Sequence, residues 1–221
     1  MRTLRQLVWL LAAVLLAAPA IAATAATAAP LTRAQAIAAL AQPEATDRLA
    51  GVARLAEIGI AGDADRVLER LADAVPFVRA AASAAVWQIW SRSGNAGIDA
   101  LFARGVEQMQ SSALVEALAT FNEIVRRKPA FAEGWNKRAT IYYLLGEHAK
   151  SLKDCDEVFK RNPNHFGALS GAGQIHLQTG DLRRALGFFK RAVEVNPNLE
   201  GPAQMIPLLE DRLRDEEKNR T

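Results

Sequence analysis

Hydrophobic and polar positions alternate in four different ways along this chain. Residues 7–18 (LVWLLAAVLLAA) form an unbroken apolar run, closed by Pro19. Residues 32–93 repeat weakly at an offset of 31: Ile37 aligns with Leu68, Leu40 with Leu71, Arg48 with Arg79, Ala53 with Ala84 and Ile58 with Ile89. Residues 98–199 repeat strongly at 34. Pro129, Pro163 and Pro197 share that step, as do Gly105, Ala139 and Gly173; Ala117, Ser151 and Ala185; Leu118, Leu152 and Leu186; and Phe121, Cys155 and Phe189. Beyond Pro202, Met205, Ile206, Leu208, Leu209 and Leu213 make an apolar stripe at helical spacing, followed by a polar end. A period in this range is the signature of stacked helical hairpins that cannot bury their apolar faces singly.

The columns of the 34-residue unit have physical roles. The small residue in the first helix and its partner in the second let the two helices approach closely. Gly146 and Gly180 supply the positive φ that ends a first helix. Each proline follows a second helix, which it cannot extend. Arg126, Arg127, Lys160 and Arg161 fall in last turns, where cations complement the helix dipole.

The middle unit reads Trp135-x-x-Arg138-Ala139-x-x-Tyr142, Gly146, Ser151-x-x-x-Cys155 and Pro163. The third reads Leu169-x-x-Ala172-Gly173-x-x-His176, Gly180, Ala185-x-x-x-Phe189 and Pro197. The first reads Leu101-x-x-Arg104-Gly105-x-x-Gln108, Ala117-x-x-x-Phe121 and Pro129, with Ser112 to Leu114 where the others have a glycine turn. Residues 98–199 thus resemble three tandem tetratricopeptide (TPR) repeats. The weaker array at 32–93 resembles HEAT-like helical hairpins, with plain hairpins as the alternative. Residues 91–97 (SRSGNAG) are the expected junction, and 200–221 the expected capping helix and polar tail.

The resemblance implies an all-α, right-handed α-solenoid of about eleven helices, whose first helices line a concave groove holding a protein or peptide partner; the alternative it implies is an assembly or maturation factor for an envelope complex, associated with the membrane. By register that groove takes Phe102, Val106 and Met109 as an apolar floor. Asn136, Thr140, Ser170 and Gln174 could bond a peptide backbone; Lys137 could meet a carboxylate, and Tyr143 completes the set. Chaperone-binding members of this family grip a terminal carboxylate with Lys and Asn in the first repeat. Here those positions hold Phe102 and Val106, which argues against such a clamp.

Composition removes other functions. One Cys in 221 residues excludes an intrachain disulfide framework and a Cys-rich zinc site. The charge balance, 27 Lys+Arg against 24 Asp+Glu, does not suggest nucleic acid. Cys155 fills a Phe column and reads as a small buried apolar residue rather than a nucleophile. His176 occupies a Tyr column, and His165 falls in an inter-repeat turn, where exposure is expected. Gly171-Ala172-Gly173 lacks the third glycine and the strand of a dinucleotide loop. No catalytic triad, paired carboxylates, metal set or cofactor motif is seen, so no enzyme is expected.

The amino terminus reads as an address. Arg2 and Arg5 precede the apolar run, and Ala20-Ile21-Ala22 has the A-x-A form of a cleavage site. A signal peptide at 1–22 followed by a linker at 23–31 would place the protein in the bacterial periplasm, or secreted. An uncleaved anchor in the inner membrane facing the periplasm is the alternative, and would be the one source of membrane contact.

Overall fold

The computed structural model describes residues 29–219. The expected signal segment and most of its linker lie outside them. The described residues contain eleven α-helices, two short 3₁₀ turns and no strand. No helix among them is long and apolar enough to cross a membrane.

Four helices make the amino-terminal array: α1 (Arg33–Ala39), α2 (Ala45–Ile58), α3 (Ala64–Leu68) and α4 (Pro76–Trp90). The offset of 31 is visible in their starts, since 64 − 33 and 76 − 45 both give it. Its cause is a repeated contact. Arg48 donates to the carbonyls of Gln42 and Pro43, and Arg79 donates to those of Asp73 and Ala74, one period on. Each arginine thereby satisfies the carbonyls of the turn ahead of its own helix, which have no other helical partner. Each also reaches beyond its own turn: Arg48 makes a two-pronged pair with Asp73 at 2.7 and 2.8 Å, and Arg79 reaches Asn198, between the last two helices of the chain, at 3.1 Å.

Three hairpins follow: α5 (Ala96–Gln110) with α6 (Leu114–Arg127), α7 (Ala132–Leu144) with α8 (His148–Arg161), and α9 (Phe166–Gln178) with α10 (Leu182–Val195). The second helices start at Leu114, His148 and Leu182, each 34 residues after the last. Within α5–α6 and α9–α10 the close approach is set by Gly105 and Gly173. A Cβ on Gly105 would meet the Phe121 ring at 2.7 Å, and one on Gly173 the Phe189 ring at 2.6 Å. The middle hairpin solves the same problem differently. It carries the larger Ala139 opposite the smaller Cys155, so the methyl takes room that the missing ring gives up. Turn geometry also keeps register. Gly146 and Gly180 sit at φ 74° and 81°, and Ser112 occupies the equivalent place at φ 62° without being glycine.

The last helix, α11 (Glu200–Lys218), covers the open side of α10. Met205, Ile206, Leu209 and Leu213 pack on Leu182, Ala185, Leu186 and Phe189. Lys190–Glu210 and Arg183–Glu217 pairs, both at 2.6 Å, flank that seam.

The array does not end where the chain order suggests. A linear stack would put α4 next to α5 alone. Instead the core of the amino-terminal hairpins is completed by Phe166, with Val195 and Leu199 packed against it. Asn198 donates to the Leu71 carbonyl at 2.8 Å. The early helices therefore lie along the inter-repeat turns and pack onto residues about 100 positions downstream.

Candidate functional site

The first helices of the hairpins, α7 and α9, present their faces toward two different neighbours. The amino-terminal half of each is covered by α4. The Trp87 ring lies against Phe166, with centroids 5.2 Å apart, and a Cβ on Gly167 would meet it at 2.5 Å. The Lys137 ammonium sits over the same ring at 5.6 Å. Beneath lies a buried polar cluster. Glu133 and His165, both fully enclosed, join at 2.7 Å. His165 Nδ1 accepts the Ala168 backbone N–H at 3.1 Å as the helix cap, so Nε2 carries the proton and donates to Glu133. Lys137 stands 3.1 Å from the other Glu133 oxygen, and Asn136 donates to the carboxylate at 3.1 Å. Burial opposes ionisation of Glu133, but the His165 hydrogen bond and the Lys137 charge outweigh it and hold its carboxyl below the ordinary range.

His165 is thus an interior residue, contrary to its expected exposure. It falls one 34-residue step from Phe131 and from Leu199, and takes the same inward slot. The Trp90 ring stacks on it at 4.4 Å. Charge makes histidine look like a surface residue, and only the neighbouring repeats disclose that its column is apolar.

The carboxyl-terminal end of α7 and the middle of α9 lie beyond this cover. There Tyr143, Ser170, Gly171 and Gln174 face Gly201, Pro202, Gln204 and Met205 of α11 across a cavity of about 440 Å³. Its lining is mainly apolar, and every lining residue is uncharged. The Tyr143 hydroxyl accepts from Gln178 at 2.6 Å, and the Ser170 hydroxyl donates to the Phe166 carbonyl at 2.8 Å. A smaller void of about 120 Å³ adjoins it, lined by Asn136, Thr140, Cys155 and Gly171 among others.

The structure brings together Asn136, Thr140, Tyr143, Ser170 and Gln174 of the sequence-derived set. Asn136 is only 7% exposed, however, and is committed to Glu133. Lys137 is taken up by Glu133 and Trp87 rather than free for a carboxylate. Phe102 is a core residue, 7% exposed, edge-on to Phe121 at 5.8 Å and to Phe131 at 5.5 Å. Val106 and Met109 pack partly buried on that same core. These three close the first repeat instead of flooring an open groove. The α11 residues were beyond sequence register, because the tail lacks repeat columns.

Other candidates are quiet. Cys155 is buried, and burial pushes its thiol up to about 12, beyond ordinary nucleophilic range. Burial likewise holds His176 below its usual value, where it stacks on Phe188 at 5.4 Å. No group of three or more His, Cys, Asp or Glu among the described residues could hold a metal ion.

A fold of helical hairpins in series with a lined hollow defines the class, and the comparisons specify it. Residues 132–165 and 167–199 match family models of the tetratricopeptide repeat. The chain is 31% identical over 124 residues to a TPR repeat-containing protein of Rhizobium etli, covering 56% of this chain and 61% of that one. It is 27% identical over 103 residues to anaphase-promoting complex subunit 3 of Schizosaccharomyces pombe, covering 47% and 16%. The match therefore spans less than two thirds of either relative. Among solved structures, the first TPR of Spaghetti (RPAP3) bound to an HSP90 peptide superposes with a TM-score of 0.51 at 20% identity, covering 53% of this chain and 93% of that one. The Sgt2 TPR domain from Aspergillus fumigatus gives 0.51 at 20%, covering 57% and 84%. The chain carries tetratricopeptide repeats in an all-α solenoid.

Proposed function

We propose that this protein is a non-catalytic scaffold that holds a protein or peptide partner in the hollow between α7, α9 and α11. The observation that carries this reading is the part of the two repeat helices that lies beyond α4 and faces α11 across the hollow. A lined trough of that size suits recognition, and the candidate titratable groups Cys155, His165 and Glu133 are enclosed away from it. That the Spaghetti domain was solved with a peptide supports the same use here.

Export to the periplasm belongs to the proposal and rests on Arg2, Arg5, the apolar run and the alanine cleavage pattern. Intact-mass analysis of the cell-derived protein tests it: loss of 22 residues is expected, and a full-length membrane-extracted chain would count for the anchor. The groove is tested by affinity capture from envelope extract. A partner recovered by the parent protein should fall by about tenfold with Tyr143→Ala plus Gln174→Ala. Undiminished recovery rejects the groove.

A further inference from the structure

The 440 Å³ hollow has features that state what kind of chain it takes. Its walls are Tyr143 of α7, Gly171 and Gln174 of α9, and Pro202, Gln204 and Met205 of α11. None carries charge. Lys137, the cation expected in the groove, is instead paired with Glu133 and lies against Trp87. A terminal carboxylate or an acidic stretch would have to give up water there without a counter-charge, which is unfavourable. Gln174 and Gln204 each present a primary amide that has no hydrogen-bond partner among the described residues. A side-chain amide offers one acceptor and two donors, complementary to the N–H and C=O of an extended backbone.

Gly171 supplies an independent observation. Helix α9 has three glycines. Gly167 yields to Trp87 and Gly173 to Phe189, but a Cβ on Gly171 would meet nothing within 4 Å. Its φ is not positive, so no turn requires it. Glycine inside a helix is unfavourable, and packing gives no return for it at this position. It lines the hollow together with Met205, where the missing side chain leaves open space.

We infer that the hollow takes an internal, uncharged segment of a partner chain, with an apolar side chain lodged over Gly171 and its backbone amides paired with Gln174 and Gln204. This rests on the peptide-binding reading above and specifies the ligand of that same site.

The test is selection of a displayed random 12-residue peptide library on the purified full chain. Synthetic copies of the enriched sequences are then titrated as free acids and as carboxyl-terminal amides. Enriched sequences should be rich in apolar residues and poor in Asp and Glu, and amidation should change Kd by less than about twofold. Gly171→Leu, which has room in the fold, should weaken binding by about tenfold or more. Thermal melting of that variant confirms that it is folded. Three results would overturn the inference while leaving a peptide-binding scaffold: acidic sequences, a need for the free carboxylate, or binding indifferent to Gly171→Leu. A selection that enriches nothing overturns both.

Discussion

Ser112 is the residue at which the repeat pattern and the backbone disagree. Its φ of 62° is the left-handed conformation that Gly146 and Gly180 adopt without penalty one and two repeats later. A side chain at that φ costs roughly 1–2 kcal/mol, part of which is offset because glycine loses more freedom on folding. Ser112→Gly is therefore expected to stabilise the protein by about 0.5–1 kcal/mol, raising Tm by a few degrees in a thermal melt. An unchanged or lower Tm contradicts this. At the same scale, the sequence disclosed the columns better than their exceptions. The 34-residue register located Gly105 against Phe121 and Gly173 against Phe189, since both are one repeated contact. It also put Cys155 in the interior. It misplaced His165, whose burial depends on Trp87 and Trp90 arriving from a distant segment.

At the scale of elements, the amino-terminal hairpins are joined by arginines. Arg48 hydrogen-bonds Asp73 and holds its carboxyl down from 3.8 to about 2, against the opposing effect of burial. The folded state therefore binds the proton less readily than the unfolded chain. The stability this adds is fully present above about pH 4 and is lost as pH falls through about 2. Asp73→Asn should flatten the fall of the urea midpoint between those two values. A variant as acid-sensitive as the parent would refute the assignment. The register of 31 was legible because Arg48 and Arg79 repeat the same turn contact. Where the second arginine goes was not, because its partner Asn198 is 119 residues away and no local pattern encodes that distance. The groove was half legible for the same reason: helix register gives the face of α7 and α9, but α4 and α11 decide how much of it stays open.

At the scale of the molecule, the contact of α4 with repeat residues changes how the solenoid should behave. Simple solenoids interact between neighbours and can fray from either end. Here Trp87 and Trp90 tie the first hairpins to Phe166 and His165. Trp87→Ala removes that contact and is expected to cost about 3 kcal/mol. Amide hydrogen exchange should then accelerate in both α2–α4 and the start of α9. Acceleration confined to the amino-terminal helices would show that the two regions are energetically separate.

The same tie bears on how fast a guest is taken up. Trp87 and Trp90 brace the start of α9 while α11 faces the hollow from the other side, an arrangement that would favour a preformed site over one that must open first. A preformed hollow would leave less ordering to complete when the partner proposed above enters.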